Sequence, residues 1–350
     1  MSLLRALIGA VRSARAAPRE TAGLVPDDDV LLDAPDERLA PALVAAALAD
    51  PEPAAKLLAT VREAGEWEDR DRYVTRLAAF AYHRPDWLLH WLAVAPHDPD
   101  ALLVSAQLSV RRAWESPARA ERLRELDPVI AVVTGSAPHD PVPWRLALDH
   151  ARGAHAGHAV FESLWEQAVR RSPHHYGSHV AALKYLSAQW YGSHRAAFDF
   201  AEQAADDAAP DSLVRALPVR AAHDRIRALP RPDRSPGASR LDRAADRALS
   251  LSAAFPPGDP WPAEVRNLLA YVLVERERWD EALDEFRRIG PHATSFPWGA
   301  PNGAPRGAVR EDPLLRFLAV RERVRAESAG SGGLWRPGSG RAGRGGPGGH

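Results

Sequence analysis

The chain of 350 residues has no cysteine, one methionine and, among its 45 basic residues, only two lysines, Lys56 and Lys184. Without cysteine there is no disulfide, no thiolate zinc site, no iron–sulfur cluster and no cysteine nucleophile. Long apolar runs are missing as well: the best candidate, Leu43 to Leu48, is Ala-rich and far shorter than the roughly 18 to 20 residues a membrane-spanning helix needs. A secretory signal needs an unbroken apolar stretch of roughly 7 to 15 residues. Ala6 to Val11 falls short of that, so a cytoplasmic protein without stable membrane insertion is expected. The formal net charge of -1 leaves no chain-wide field to grip nucleic acid, and none is expected as a partner. Strand signals are sparse too. The one β-branched cluster, Val129, Ile130, Val132, Val133 and Thr134, sits alone between Asp127-Pro128 and Gly135 and reads as a short helix.

What the chain does have is arginine, alanine and 31 prolines, a composition that fits a GC-rich genome and makes arginine content a poor pointer to phosphate binding. Charge is distributed in blocks. Residues 1–19 carry four arginines and no acid around a stripe of Leu3, Leu4, Leu7, Ile8 and Val11, and residues 20–52 carry nine acids and Arg38. Such blocks predict a partly mobile N-terminal region over 1–52, an amphipathic helix followed by an acidic segment. Helical patterning runs over 53–230, a Pro/Arg/Ser/Gly stretch at 231–240 reads as loop or linker, and helical periodicity resumes over 241–327, with a loop at 292–307. Residues 328–350 are Gly-rich and cannot bury enough apolar area to fold.

Helix starts are written plainly. Asp98-Pro99, Ser116-Pro117, Asp127-Pro128, Asp140-Pro141 and Asp312-Pro313 each place a side-chain acceptor at an N-cap and a proline at the first helical position. Behind them the apolar spacing is helical, as in Phe161, Leu164, Trp165 and Ala168 at i, i+3, i+4 and i+7. The pentapeptide Ala95-Pro96-His97-Asp98-Pro99 recurs as Ala137-Pro138-His139-Asp140-Pro141, 42 residues on, and helix-ending prolines follow at Pro173 and Pro210. Intervals of this size belong to helix-pair repeats, in which each unit buries its apolar face on the next.

In residues 265–290, Leu269, Ala270 and Leu273 precede Trp279, Ala282, Phe286 and Ile289. This segment resembles the tetratricopeptide repeat, with Ala270 and Ala282 in the small positions, Trp279 at the interhelix turn, and Arg266 where an aromatic is usual. A second unit has Gly192, Ala197, Ala201 and Ala204 in small positions and ends at Pro210. Residues 73–210, through Tyr82-His83-Arg84-Pro85-Asp86-Trp87 with Trp91, Arg111-Arg112-Ala113-Trp114, Leu183-Lys184-Tyr185-Leu186 and Trp190-Tyr191-Gly192-Ser193-His194, are also similar to an uncharacterised bacterial family of tetratricopeptide-like proteins. The resemblance implies an all-α fold, an α-solenoid of tetratricopeptide-like helix pairs, to which the Gly-rich composition of 328–350 adds a disordered C-terminal tail, and it brings no known activity.

For function, the expectation is a non-catalytic scaffold or adaptor that binds a protein or peptide in a helical-repeat groove. The chain contains no GxxxxGK phosphate loop, HExxH helix or GxSxG elbow, and no cofactor is expected. Trp190, Tyr191 and His194, with Arg84 and Arg112, are the candidate partner-binding residues, because Trp, Tyr and Arg dominate interface hot spots. Trp190, however, also continues the apolar face of Ala182, Leu183 and Leu186, which makes it a core candidate. The alternative is a metal-dependent hydrolase built on the histidine-rich segment 150–194, with His158, His175 and His179 as candidate ligands and the i, i+4 spacing of the last two as the signal. Lys184 could in principle form a Schiff base, but a lone helical lysine reads as a solvated or snorkelling side chain. Arg336, Arg341 and Arg344 among the tail glycines are too few for useful RNA affinity.

Overall fold

A computed structural model describes residues 22–228, 238–299 and 312–332. Within them the chain is all-α. Seventeen α-helices form the body: α1 Leu39–Ala47, α2 Glu52–Ala64, α3 Trp67–His83, α4 Asp86–Val94, α5 Pro99–Glu115, α6 Arg119–Arg124, α7 Asp127–Ser136, α8 Val142–Gly153 and α9 His158–Arg171 in the first half. They continue as α10 Tyr176–Tyr185, α11 His194–Asp207, α12 Leu217–Arg227, α13 Ala238–Ala253, α14 Ala263–Glu275, α15 Trp279–Ile289, the one-turn α16 Ser295–Trp298 and α17 Pro313–Gly332. The only strands among the described residues are the two-residue β1 Leu31–Leu32 and β2 His292–Ala293.

Side-chain caps set several boundaries. Asp98 Oδ1 accepts from the backbone N–H of Asp100 and Ala101, Asp140 Oδ1 from Val142, and Asp312 Oδ1 from Leu314. Ser193 and Ser212 cap α11 and the short 3-10 turn before α12 in the same way. Asp127 does not cap: α6 runs through Glu125 and Leu126 almost directly into α7, so Asp127 is already helical. Gly65 closes α2 at φ 70°, a conformation that a side chain would strain.

From α8 onward the helices alternate. Each of α8, α10, α12 and α14 packs against the helix that follows it, and these four also pack on one another in order. Ala270 and Ala282, both fully buried, sit where α14 and α15 approach, and Trp279 opens α15. Arg266, at the usual aromatic position, is also fully buried and donates to the backbone oxygens of Ser252, Phe255 and Arg288, so it staples three segments where a ring would only fill space.

Several boundaries differ from expectation. α1 falls inside the acidic segment and buries Leu39, Ala42 and Ala46, because its Ala-rich stripe finds a partner in α2. Residues 238–240, expected in the linker, begin α13, where Arg240 pairs with Asp199 and Glu202 of α11. The expected loop from 292 holds β2 and α16, fixed when Asn267 Nδ2 donates to His292 O and Trp298 Nε1 donates to Asn267 Oδ1. Residues 328–332 extend α17, with Ser328 hydrogen-bonded to Asp280. Gly192 lies in the turn before α11, against Leu186 O, and is not a helix-packing position. The amphipathic stripe of 1–19, most of the 231–240 segment, 300–307 and the tail from 333 lie outside the described residues.

Residues 22–38 do not trail away from α1. β1 pairs in parallel with β2, Leu31 opposite His292 and Leu32 opposite Ala293, while Val30 joins the core formed by α10 to α15 and α17. Asp33 accepts from the backbone and hydroxyl of Ser295 and, at 3.3 Å, from Arg76 of α3. Asp27 pairs with Arg321 of α17. A stretch that precedes the first helix therefore straps the last ones.

Candidate functional site

Where the first helices meet the later ones, the contact is polar. α3 turns its apolar face to α2 and α5 and carries Glu68, Asp71, Arg72 and Arg76 on the other. The backbone N–H of Tyr176 donates to Glu68 Oε1 at 2.6 Å, Arg72 stacks on the Trp261 ring at 4.4 Å and donates to its carbonyl, and Asp71 pairs with Arg145 of α8. Gly177 allows this close approach: a Cβ there would stand 2.1 Å from Asp71 Oδ2. Burial pushes the Glu68 carboxyl up to about 8 and the His175 imidazole down to about 4, so at neutral pH both are uncharged.

Beside this seam, the row α8–α10–α12–α14 carries a stripe of charge. Asp149 accepts from Arg152 at 2.9 Å and from Arg145 at 3.4 Å. Burial opposes its ionisation, but Arg152, Lys184 and Arg145 outweigh that and bring its pKa down to about 2. Arg220 of α12 pairs with Glu264 of α14 and lies over the Phe296 ring at 4.6 Å. Lys184, half-buried on α10, stands in the fields of Asp149, Arg152, Arg220 and Glu264 and makes no hydrogen bond or ion pair with the described residues. Burial and the two guanidinium groups lower its pKa.

Arg152 continues the stripe into an aromatic cluster. Its guanidinium lies 4.4 Å from the Trp114 ring and 4.8 Å from the Trp190 ring. Tyr191 stacks on Tyr185 and shares a hydrogen bond of 2.8 Å with His155, which occupies the interhelix turn at φ 61°. Trp190 is half-buried here and does not extend the apolar face of α10, which ends at Tyr185. Tyr191 is likewise half-buried, and His194 opens α11. Arg84 and Arg112 lie elsewhere: Arg84 donates to Ala47 O, and Arg112 lies 5.8 Å from the Tyr82 ring. The structure thus unites Trp190 and Tyr191 and leaves both arginines apart from them.

The histidine candidates do not converge. His158 shares a hydrogen bond with the Tyr185 hydroxyl. His175 precedes α10, with Nδ1 on Ser178 Oγ and Nε2 3.6 Å from Asp71 Oδ2. His179 commits Nδ1 to His175 O and packs its ring on Trp165 and Phe200. Sequence spacing put His175 and His179 on one helix face, but His175 is the residue before the first turn, so its side chain points to α3 instead. No group of three His, Asp or Glu among the described residues is placed to hold a metal ion.

Sequence reasoning missed Glu68, Asp71, Arg145, Asp149, Arg220 and Glu264. The available signal was the Arg145, Asp149, Arg152 spacing of i, i+4, i+7 within a helix whose other residues are mostly apolar or small. Also among the described residues, no helix is long and apolar enough to cross a membrane. No protein family, curated protein or solved structure matches the chain.

Proposed function

We propose that the protein is a non-catalytic scaffold of the cytoplasm, a tetratricopeptide-like α-solenoid that holds a peptide or protein segment along the row α8–α10–α12–α14. The observation that carries this reading is the side-by-side packing of those four helices with Asp149, Arg152, Lys184, Arg220 and Glu264 on them in one electrostatic neighbourhood. In stacked helix pairs the first helix of each pair lines the inner surface, and an extended or helical segment laid there meets successive units. Trp190, joined to the stripe through Arg152, and Tyr191, stacked on Tyr185 of α10, supply the aromatic contacts at its edge.

The test is chemical crosslinking of the full chain in its native host, followed by purification and mapping of the crosslinked peptides. Crosslinks from one partner to α8, α10, α12 or α14 are expected. Crosslinks confined to α9, α11 and α13, or the absence of any partner, would overturn the reading.

A further inference from the structure

The charge stripe does not balance. Around Lys184 stand two anions, Asp149 and Glu264, and two guanidinium groups, Arg152 and Arg220. Each guanidinium is already paired: Arg152 with Asp149, and Arg220 with Glu264. Asp149 is held twice from within α8, since Arg145 also reaches it while pairing with Asp71 of α3. The Lys184 ammonium is left over, half-buried and without a hydrogen-bonded or ion-paired partner among the described residues. A partly desolvated charge of this kind is costly to keep and gains more from a counter-ion than a fully solvated one does.

We propose that Lys184 anchors an acidic side chain of the bound segment, so that the scaffold selects a partner bearing glutamate or aspartate at the position that crosses α10. This inference rests on the scaffold reading and specifies its ligand. One unmatched positive charge calls for one negative charge. A carboxylate supplies that, whereas a phosphate dianion would bring a second charge up against Asp149 and Glu264. Arg152 and Arg220 hold the two resident carboxylates in place, so among the described residues of this neighbourhood Lys184 is the cation with no ion-paired carboxylate to meet an incoming acid.

Fluorescence anisotropy of the full chain with a labelled hexaglutamate peptide tests the assignment, with hexaglutamine and hexalysine carrying the same label as controls. Hexaglutamate is expected to bind and both controls to fail, with affinity falling as salt is raised. Lys184→Gln is expected to weaken hexaglutamate binding roughly fivefold to tenfold, the order of one partly buried ion pair, and Lys184→Arg to restore most of it. Lys56→Gln, on α2, should change nothing. Equal binding by native chain and Lys184→Gln, or displacement of the peptide by inorganic phosphate at matched concentration, overturns the proposal. If partner crosslinks to α10 persist while hexaglutamate binding ignores Lys184, this inference alone has failed; if no partner crosslinks at all, the scaffold reading has failed.

Discussion

The guanidinium of Arg70, on α3, is wholly removed from solvent and gathers three other parts of the first half of the chain. It donates from Nε to Asp140 Oδ2 at 2.6 Å and from Nη1 to Leu58 O, and Nη2 lies 2.6 Å from Asp100 Oδ1; the carboxylates are 1% and 2% exposed. Arg70→Ala strips the buried Asp140 of its guanidinium and leaves the buried Asp100 with Arg62 alone, at 3.3 Å, and is expected to cost about 3–5 kcal/mol of stability, measured by urea denaturation. A loss under about 1 kcal/mol would show that water replaces the arginine. The repeated Ala-Pro-His-Asp-Pro motif gains a physical meaning here. The acid of the second copy, Asp140, caps α8 with one oxygen and binds Arg70 with the other, while in the first copy Asp98 only caps and the next acid, Asp100, meets Arg70. The capping half of that motif was legible from sequence, but the shared arginine was not, because Arg70 lies 70 residues before Asp140. Glu68 yields a pH prediction. Its carboxyl titrates near 4.5 when unfolded and about 8 when folded, so between those values the fold holds the extra proton and stability falls as pH rises. Glu68→Gln keeps an oxygen for the Tyr176 N–H and removes this penalty. Its thermal midpoint should match the native one near pH 4.5 and exceed it increasingly toward pH 8, by the equivalent of about 1 kcal/mol, since the side chain is 31% exposed. A difference that stays constant with pH would refute the assignment.

At the scale of elements, the strap of residues 22–38 is fixed by few bonds, and Asp33 makes most of them, to Ser295 and Arg76. Asp33 stands at φ 52°, which an aspartate tolerates better than most side chains do. Asp33→Ala is expected to cost about 1–2 kcal/mol and to raise amide exchange at Val30 to Asp33 and at Ala293 to Ser295 together, as one unit. Exchange that rises on only one side would mean the two segments hold independently. Helix existence was well marked in the sequence by caps and apolar periods. Helix partners were less so, and the strap was invisible, because a two-residue strand carries no periodicity and its partner lies about 260 residues away. The charge stripe was hidden for a related reason: Asp149, Lys184, Arg220 and Glu264 come from four helices, and only folding makes them neighbours.

For the whole molecule, the apolar core divides into a cluster spanning α1 to α8 and another built on α10 to α15, α17 and Val30, with a smaller one among α8 to α10. The polar seam at Glu68 and Arg72 and the strap tie the first two together. Cooperative unfolding follows: circular dichroism and tryptophan fluorescence should report one coincident urea transition. Two separated midpoints would show that the seam joins without coupling. The strap has a further consequence during synthesis. Val30 and Leu31 leave the ribosome long before His292 and Ala293 exist, and at roughly 5–20 residues per second the wait is tens of seconds. Through that interval an unpaired edge and the apolar Leu24, Val25 and Val30 stay uncovered, while α1 to α9 can already fold behind them. The nascent chain thus displays a short adhesive segment for most of its translation, and it hides that segment only after β2 has emerged to receive it.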